Sequence, residues 1–181
     1  INGVSVGEAK TGITVAKEIK KIKPKSSILF STSTLSAYNL LSKSKNDFVV
    51  IFFPLDINFI VNRFLKYWSP SSVIFIESEI WPNIFYILKK KFIKISILNA
   101  RISKKSFVTW KRINFFSKSV FPLIDQCFTQ NNDSFKRFKE LGTKNVKRIQ
   151  NLKYISQTLD VDDIAYNKIF KELKSKRVVT L

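Results

Sequence analysis

The sequence predicts an α/β fold, a parallel sheet with helices on both faces. Three observations lead there. Short β-prone runs alternate with longer amphipathic runs, several of the β-prone runs are apolar along nearly their whole length, and the segments between them suit right-handed βαβ crossovers.

Taken in order, strands are expected at NGVSV (2–6), SSILFST (26–32), DFVVIFF (47–53), SVIFIE (72–77), IKISILN (93–99), QCFTQ (126–130) and VKRIQ (146–150), each rich in β-branched or aromatic residues. Between them, apolar residues recur at helical spacing over 12–22, 34–43, 57–67, 81–90, 104–121 and 132–140. Further on, DVDDIAYNKIFKELKSK reads as an amphipathic helix with acidic residues at its start, and RVVTL opens another strand. The expected division is therefore a Rossmann-like domain over 1–155, then a connecting helix and the start of a second domain over 156–181. The longest apolar run, FVVIFFPL (48–55), is far short of the ~20 residues that span a bilayer.

Composition narrows the chemistry. Hydrophobic residues make up 45 % of the 181, enough for a full core in one domain. Lys and Arg number 32 against 13 Asp and Glu, a formal charge of +19 whose field attracts polyanions without choosing among nucleic acid, anionic lipid and phosphorylated substrate. With no histidine, imidazole base catalysis and His metal ligation are excluded. The one cysteine, Cys127, excludes an internal disulfide, and its apolar neighbours suggest a buried, inert thiol. Two motif near-misses fail on their own terms. GEAKTGIT has Ile13 where a P-loop requires Lys, and SKSK (42–45) has KTG (10–12) before it, where an S-x-x-K enzyme carries KTG after.

In open α/β sheets ligands bind beyond the carboxyl ends of the strands, and the polar clusters of this chain fall there. Glu8 follows the first expected strand, on what reads as a loop between Gly7 and Gly12. Thr32 and Thr34 follow the second, Glu77, Glu79 and Asn83 the fourth, and Asn99 and Arg101 the fifth. Glu77 and Glu79 are spaced to point the same way from an extended segment, and Pro82 suits the first turn of the next helix. A single carboxylate there could simply complement the helix dipole; two suggest a site.

The blocks VSVGEAKTG, FSTSTLSAY, FFPLDI, IESEIWPN, LNARIS and FTQNNDSFKRFKELG stand in the order and approximate spacing of the 3-deoxy-D-manno-octulosonic acid (Kdo) transferases. From Ile1 to about Ile155 the sequence resembles that family of inverting glycosyltransferases, which add Kdo from CMP-Kdo to the lipid A precursor (lipid IVA) in lipopolysaccharide biosynthesis of Gram-negative bacteria. The resemblance implies the N-terminal, acceptor-binding half of a GT-B fold of two Rossmann-like domains. The donor CMP-Kdo would bind a C-terminal domain absent from this chain, and no cofactor or metal is implied. Glu8 matches the family's catalytic base. Glu79 matches the second glutamate of the E-[ST]-E-x-W-P block, which positions the acceptor or supports the site, and Asn99 and Arg101 match its NAR block. Thr32, Thr34, Glu77 and Asn83 complete the expected substrate-binding set. The family further implies an anionic membrane surface as partner, at the cytoplasmic face of the inner membrane, reached peripherally or through an anchor outside this chain. Asn2 stands where the family carries His, the loop TSTLSA lacks a usual Gly, and Gln150-Asn151 replaces Gly-Asn. Two other readings compete: a catalytically inactive remnant, and a basic polyanion or nucleic-acid binder. No sequence-specific nucleic-acid motif supports the latter.

Overall fold

The computed structural model describes residues 1–43 and 48–152. The expected helix at 160–176, the strand at 177–181 and the domain boundary at 155/156 lie outside the described residues. Along the chain run α1 (Val6–Ile22), β1 (Ile28–Thr32), α2 (Leu35–Lys43), β2 (Phe48–Phe52), α3 (Asn58–Trp68), β3 (Ser72–Ile76) and α4 (Pro82–Lys90). They are followed by β4 (Lys94–Ala100), α5 (Lys104–Arg112), α6 (Asn114–Val120), a 3₁₀ turn (Phe121–Leu123), β5 (Gln126–Thr129), α7 (Asn132–Glu140) and β6 (Val146–Arg148).

All strand pairs are parallel. β1 pairs with β2, and β3, β4, β5 and β6 follow one another in a second group. The expected first strand at 2–6 is the main departure: only Asn2 forms ladder bridges, to Ser31 of β1 on one side and Phe75 of β3 on the other. That one residue joins the two groups. Asn2 donates its N–H to Ile74 O at 2.8 Å and accepts from Ile76 N–H at 3.0 Å, while Ser31 N–H reaches Ile1 O at 2.8 Å and Gly3 N–H reaches Ser31 O at 3.0 Å. The strand ends early because Ser5 starts a helix, with α1 beginning at Val6 and not at residue 12.

Two apolar clusters hold the layers. The larger gathers Val61 and Leu65 of α3, Phe85 and Leu88 of α4, Phe75, Ile95 and Ile97 of the sheet, and Phe121 and Phe138. The smaller is Ala9, Phe30, Ala37 and Leu41, where α1 and α2 meet β1. Cys127 is buried in the larger cluster and removal from water pushes its thiol up to about 12, so it is inert as expected. The expected single helix over 104–121 breaks at Ile113 into α5 and α6. The bend lets Trp110 stack on Phe116 (6.2 Å between ring centres) and meet Phe121 edge-on (5.2 Å).

Gly12 lies where α1 crosses β1, and a Cβ there would stand 2.3 Å from the Phe30 ring. Gly12→Ala is expected to lower stability by about 1–3 kcal/mol in chemical denaturation, as overpacking does. Trimming the ring in Gly12→Ala/Phe30→Leu should recover part of that loss, and additivity of the two losses would sink the explanation. Cys127 should resist thiol reagents in the folded protein and react at once in denaturant.

Candidate active site at the carboxyl ends of the strands

Glu8 is the third residue of α1 and not part of a loop. The sequence carries the reason in S-V-G-E: Ser5 Oγ accepts from Glu8 N–H at 3.2 Å, while Glu8 Oε2 accepts from Val4 N–H at 2.6 Å and Ser5 N–H at 3.3 Å. This capping box satisfies amides at the helix start and folds the carboxylate back over the helix end. The preceding turn is held in its turn by Thr32 and Thr34, whose hydroxyls both donate to Val4 O, at 3.1 and 2.7 Å. Thr32 is fully buried and Thr34 is exposed. Both threonines thus act on the turn that presents Glu8.

Glu77 and Glu79 do not stay in one extended segment. The chain turns at Glu77, which has φ 64°, a left-handed conformation uncommon for a residue with a side chain. Asn99, at the end of the neighbouring β4, is also left-handed (φ 56°) and fully buried. Paired strain of this kind persists only where surrounding bonds hold it. Here Glu77 N–H reaches Leu98 O at 2.9 Å, Asn99 Nδ2 lies 3.5 Å from Glu77 Oε1, and Asn99 Oδ1 accepts from Leu152 N–H at 3.3 Å. Next along, Ser78 Oγ donates to Arg101 O at 2.7 Å, and Arg137 of α7 donates to Ile102 O at 2.7 Å. The loop is fixed, while the Arg101 side chain is exposed and outside the ion pairs found among the described residues.

Glu79 is half-buried and accepts the indole N–H of Trp81 at 2.7 Å. Trp81 packs on Phe53 (5.3 Å between ring centres), and Phe53 meets Phe75 edge-on. Burial raises the Glu79 pKa above its usual 4.5, the Trp81 hydrogen bond opposes the rise, and the charge of Glu8 adds to it. The structure therefore brings Glu8 and Glu79, 71 positions apart in sequence, within electrostatic reach of each other.

The acidic complement to α4 comes from neither glutamate. Asp56, in the loop after β2, accepts from Ile84 N–H at 2.7 Å and from Asn83 N–H at 3.2 Å, and Asn83 Nδ2 returns a bond to Asp56 O at 2.8 Å. Trp81, at the capping position, has no side chain able to do this. The amides of the α4 terminus are thereby spent, and Asn83 is committed to the same lock. Asp56 was missed by sequence reasoning because its partner is 27 positions away; its only sequence signal is its place in the FFPLDI block.

Two concavities lie elsewhere. One, of about 700 Å³, runs under the amino-terminal halves of β1 and β3 between α1 and α3, and one of about 930 Å³ is lined by Phe59, Arg63, Lys66 and Lys91. Neither is lined by Glu8, Glu79 or Arg101. Among the described residues no group of three or more acidic or Cys side chains is arranged to hold a metal, and no helix is long and apolar enough to cross a membrane. What the arrangement offers is an oriented carboxylate, a second carboxylate of raised proton affinity and a guanidinium outside the ion pairs of the described residues.

Two measurements follow from this geometry. Folding holds the Glu79 pKa above its unfolded value, so Glu79 costs stability as pH climbs from the usual 4.5 through the raised value. Glu79→Gln keeps an acceptor for Trp81 and removes the titration. Its melting temperature relative to the parent should climb across that interval, and a pH-independent difference would contradict the burial argument. Asp56→Ala should cost about 1–2 kcal/mol by uncapping α4, read by denaturation.

A family model described as 3-deoxy-D-manno-octulosonic-acid transferase (kdotransferase) matches residues 1–156. The chain is 31% identical over 180 residues to the 3-deoxy-D-manno-octulosonic acid transferase of Rickettsia conorii, covering 99% of this chain and 39% of that protein. It is 30% identical over 163 residues to the protein of the same name in Haemophilus influenzae, covering 88% and 38%. A bifunctional glycosyltransferase/methyltransferase of Fusobacterium nucleatum is 28% identical over 172 residues, covering 91% and 27%. The chain thus spans about two fifths of the length of the first of these relatives. With the α/β fold and the blocks that build its strand ends, the match over residues 1–156 makes this chain a member of the Kdo transferase family.

Proposed function

We propose that this chain is the acceptor-binding half of an inverting Kdo transferase, with Glu8 as general base. The single observation that carries the reading is the anchored Glu8 carboxylate beside Glu79. Oε2 is held by the Val4 and Ser5 amides, which leaves Oε1, without a hydrogen bond among the described residues, to face a substrate hydroxyl. A sugar hydroxyl of the lipid A precursor gives its proton to Glu8 as its oxygen attacks the anomeric carbon of Kdo. The bond from that carbon to the CMP phosphate breaks, and its electron pair leaves with CMP. Attack opposite the leaving group inverts the centre. Glu79 holds the acceptor through a hydrogen bond to a sugar hydroxyl. Arg101 supplies a planar, two-pronged donor for an acceptor phosphate. Thr32, Thr34, Glu77, Asn83 and Asn99 shape the site through the backbone they hold.

In this reading residues 1–155 form the acceptor domain and 156–181 lead into a second domain that binds CMP-Kdo. No cofactor is assigned, because the base is a side chain and the donor arrives activated. The acceptor lies in the cytoplasmic leaflet of the inner membrane, whose anionic surface suits the +19 charge.

Glu8→Gln in an enzyme carrying both halves is the test. Gln still completes the capping box but cannot take the proton. Transfer of Kdo to the lipid A precursor should fall by about 10²–10⁴-fold, with acceptor binding and melting temperature held. A rate within a few-fold of the parent would remove Glu8 from the mechanism.

A further inference from the structure

A two-residue rhythm runs along β4 and then slips. Ile95 and Ile97 belong to the larger apolar cluster, and the next residues of the chain to join it are Ala100 and Ile102, not Asn99 and Arg101. The register carries the reason: Ile97 pairs with Cys127 and Ala100 with Thr129, so three steps along β4 match two along β5. On the other side, Glu77 N–H reaches Leu98 O at 2.9 Å, and Glu77 O is met by Arg101 N–H at 3.5 Å, where regular parallel pairing would use Ala100. One extra residue thus stands in β4 against both neighbours. Such a bulge reverses the facing of everything after it. Without it Arg101 would face the core; with it Ala100 is fully buried and Arg101 is exposed.

Asn99 makes the slip. Its backbone is left-handed (φ 56°), a region that Asn enters more readily than other residues with a side chain, and it is fully buried. Its amide has a partner on each side: Nδ2 lies 3.5 Å from Glu77 Oε1, and Oδ1 accepts from Leu152 N–H at 3.3 Å. Leu152 follows β6, which stands two strands from β4, so the chain doubles back across the end of β5 to reach Asn99. The bulge is therefore clasped from the turn after β3 and from the segment that leaves the sheet. Glycine would supply the left-handed angle at no steric cost, so the angle alone does not account for the side chain; the clasp does.

We propose that Asn99 is a positioning residue for Arg101: its clasped bulge turns the guanidinium out of the core at the carboxyl ends of the strands and ties it to the Glu77 turn and to the exit at Leu152. The inference rests on Arg101 as the phosphate contact of the proposed function. It makes phosphate binding depend on a side chain that does not touch the phosphate.

Two experiments test this. On this chain, Arg101→Cys introduces a thiol whose reactivity reports which way position 101 faces, because Cys127 is buried and inert. The introduced thiol should react with a disulfide reagent as an exposed cysteine does. Adding Asn99→Val, a β-branched residue that resists the left-handed region, should slow the reaction at least about tenfold, while adding Asn99→Gly should leave the rate within about threefold. Melting curves check that each variant folds, and equal rates in folded Val and Gly variants would overturn the proposal. In an enzyme carrying both halves, Asn99→Gly keeps the backbone angle and removes the clasp. It should raise KM for the phosphorylated lipid A precursor about tenfold with kcat within about threefold, as Arg101→Ala does, because both loosen one charge-assisted contact. Asn99→Gly/Arg101→Ala should then be no worse than Arg101→Ala alone, and neither loss should appear with dephosphorylated precursor. Losses that multiply, or that persist without the phosphate, would make Asn99 merely structural and sink the idea, and this arm decides if Asn99→Val does not fold. A parent enzyme that transfers no Kdo removes the proposed function, and the thiol rates then decide the positioning role by themselves.

Discussion

The structure depends on the insertion of Ile1–Gly3 between β1 and β3. β1 and β2 form one parallel pair and β3 to β6 another group, and the described strands make no direct β1–β3 pairing. The bonds that Asn2 and its neighbours make to Ser31, Ile74 and Ile76 turn the two into one continuous layer. Asn2 is buried, and its Oδ1 accepts from Ser31 Oγ at 3.2 Å, so side chain and backbone fasten the same joint. Every later placement inherits this position: Val4 meets the threonines of the β1 loop, Ser5 opens α1, and Glu8 arrives beside the loop that ends β3.

Helix starts then decide which carboxylates remain available for chemistry. An α-helix leaves its first amides unpaired; Ser5, Ser103 and Asn131 cap α1, α5 and α7 with their own side chains, while α4 is capped from another loop. Glu8 answers for α1 with one oxygen and keeps the other. Asp56 answers for α4 from a different loop, which releases Glu79 to bond Trp81 and lie near Glu8. Burial raises the proton affinity of Glu79, and the charge of Glu8 adds to the rise. A basic chain with few carboxylates has thus gathered two of them at one edge, fixed from opposite sides of the inserted segment.

Most elements were legible in the sequence because each depends on local pattern. The apolar runs at 28–32, 48–52, 72–76 and 94–100 are strands, and the periodic segments at 35–43, 58–68, 82–90 and 132–140 are helices, within a residue or two of expectation. The misread start of α1 was also legible, since Ser5 and Glu8 stand at capping-box spacing; the apolar–polar alternation of NGVSV masked it. The break at Ile113 was not legible, because no Pro or Gly marks it and its cause is the packing of Trp110 against Phe116 and Phe121.

Sequence alone determined the chemistry available: no imidazole, one inert thiol, an excess of cations, and a few carboxylates and amides at strand ends, in the order of one family. Those properties belong to residue types and short spacings, and no folding is needed to read them. Tertiary structure decided which of these residues share a site and which are spent on holding it. Thr32, Asn83 and Asn99 are committed to bonds whose partners are 27 to 53 positions away, and Asp56 takes the helix end that a nearer glutamate could have filled. Pairing at that separation is fixed by the parallel register of the sheet, which sets strand ends side by side whatever their distance along the chain.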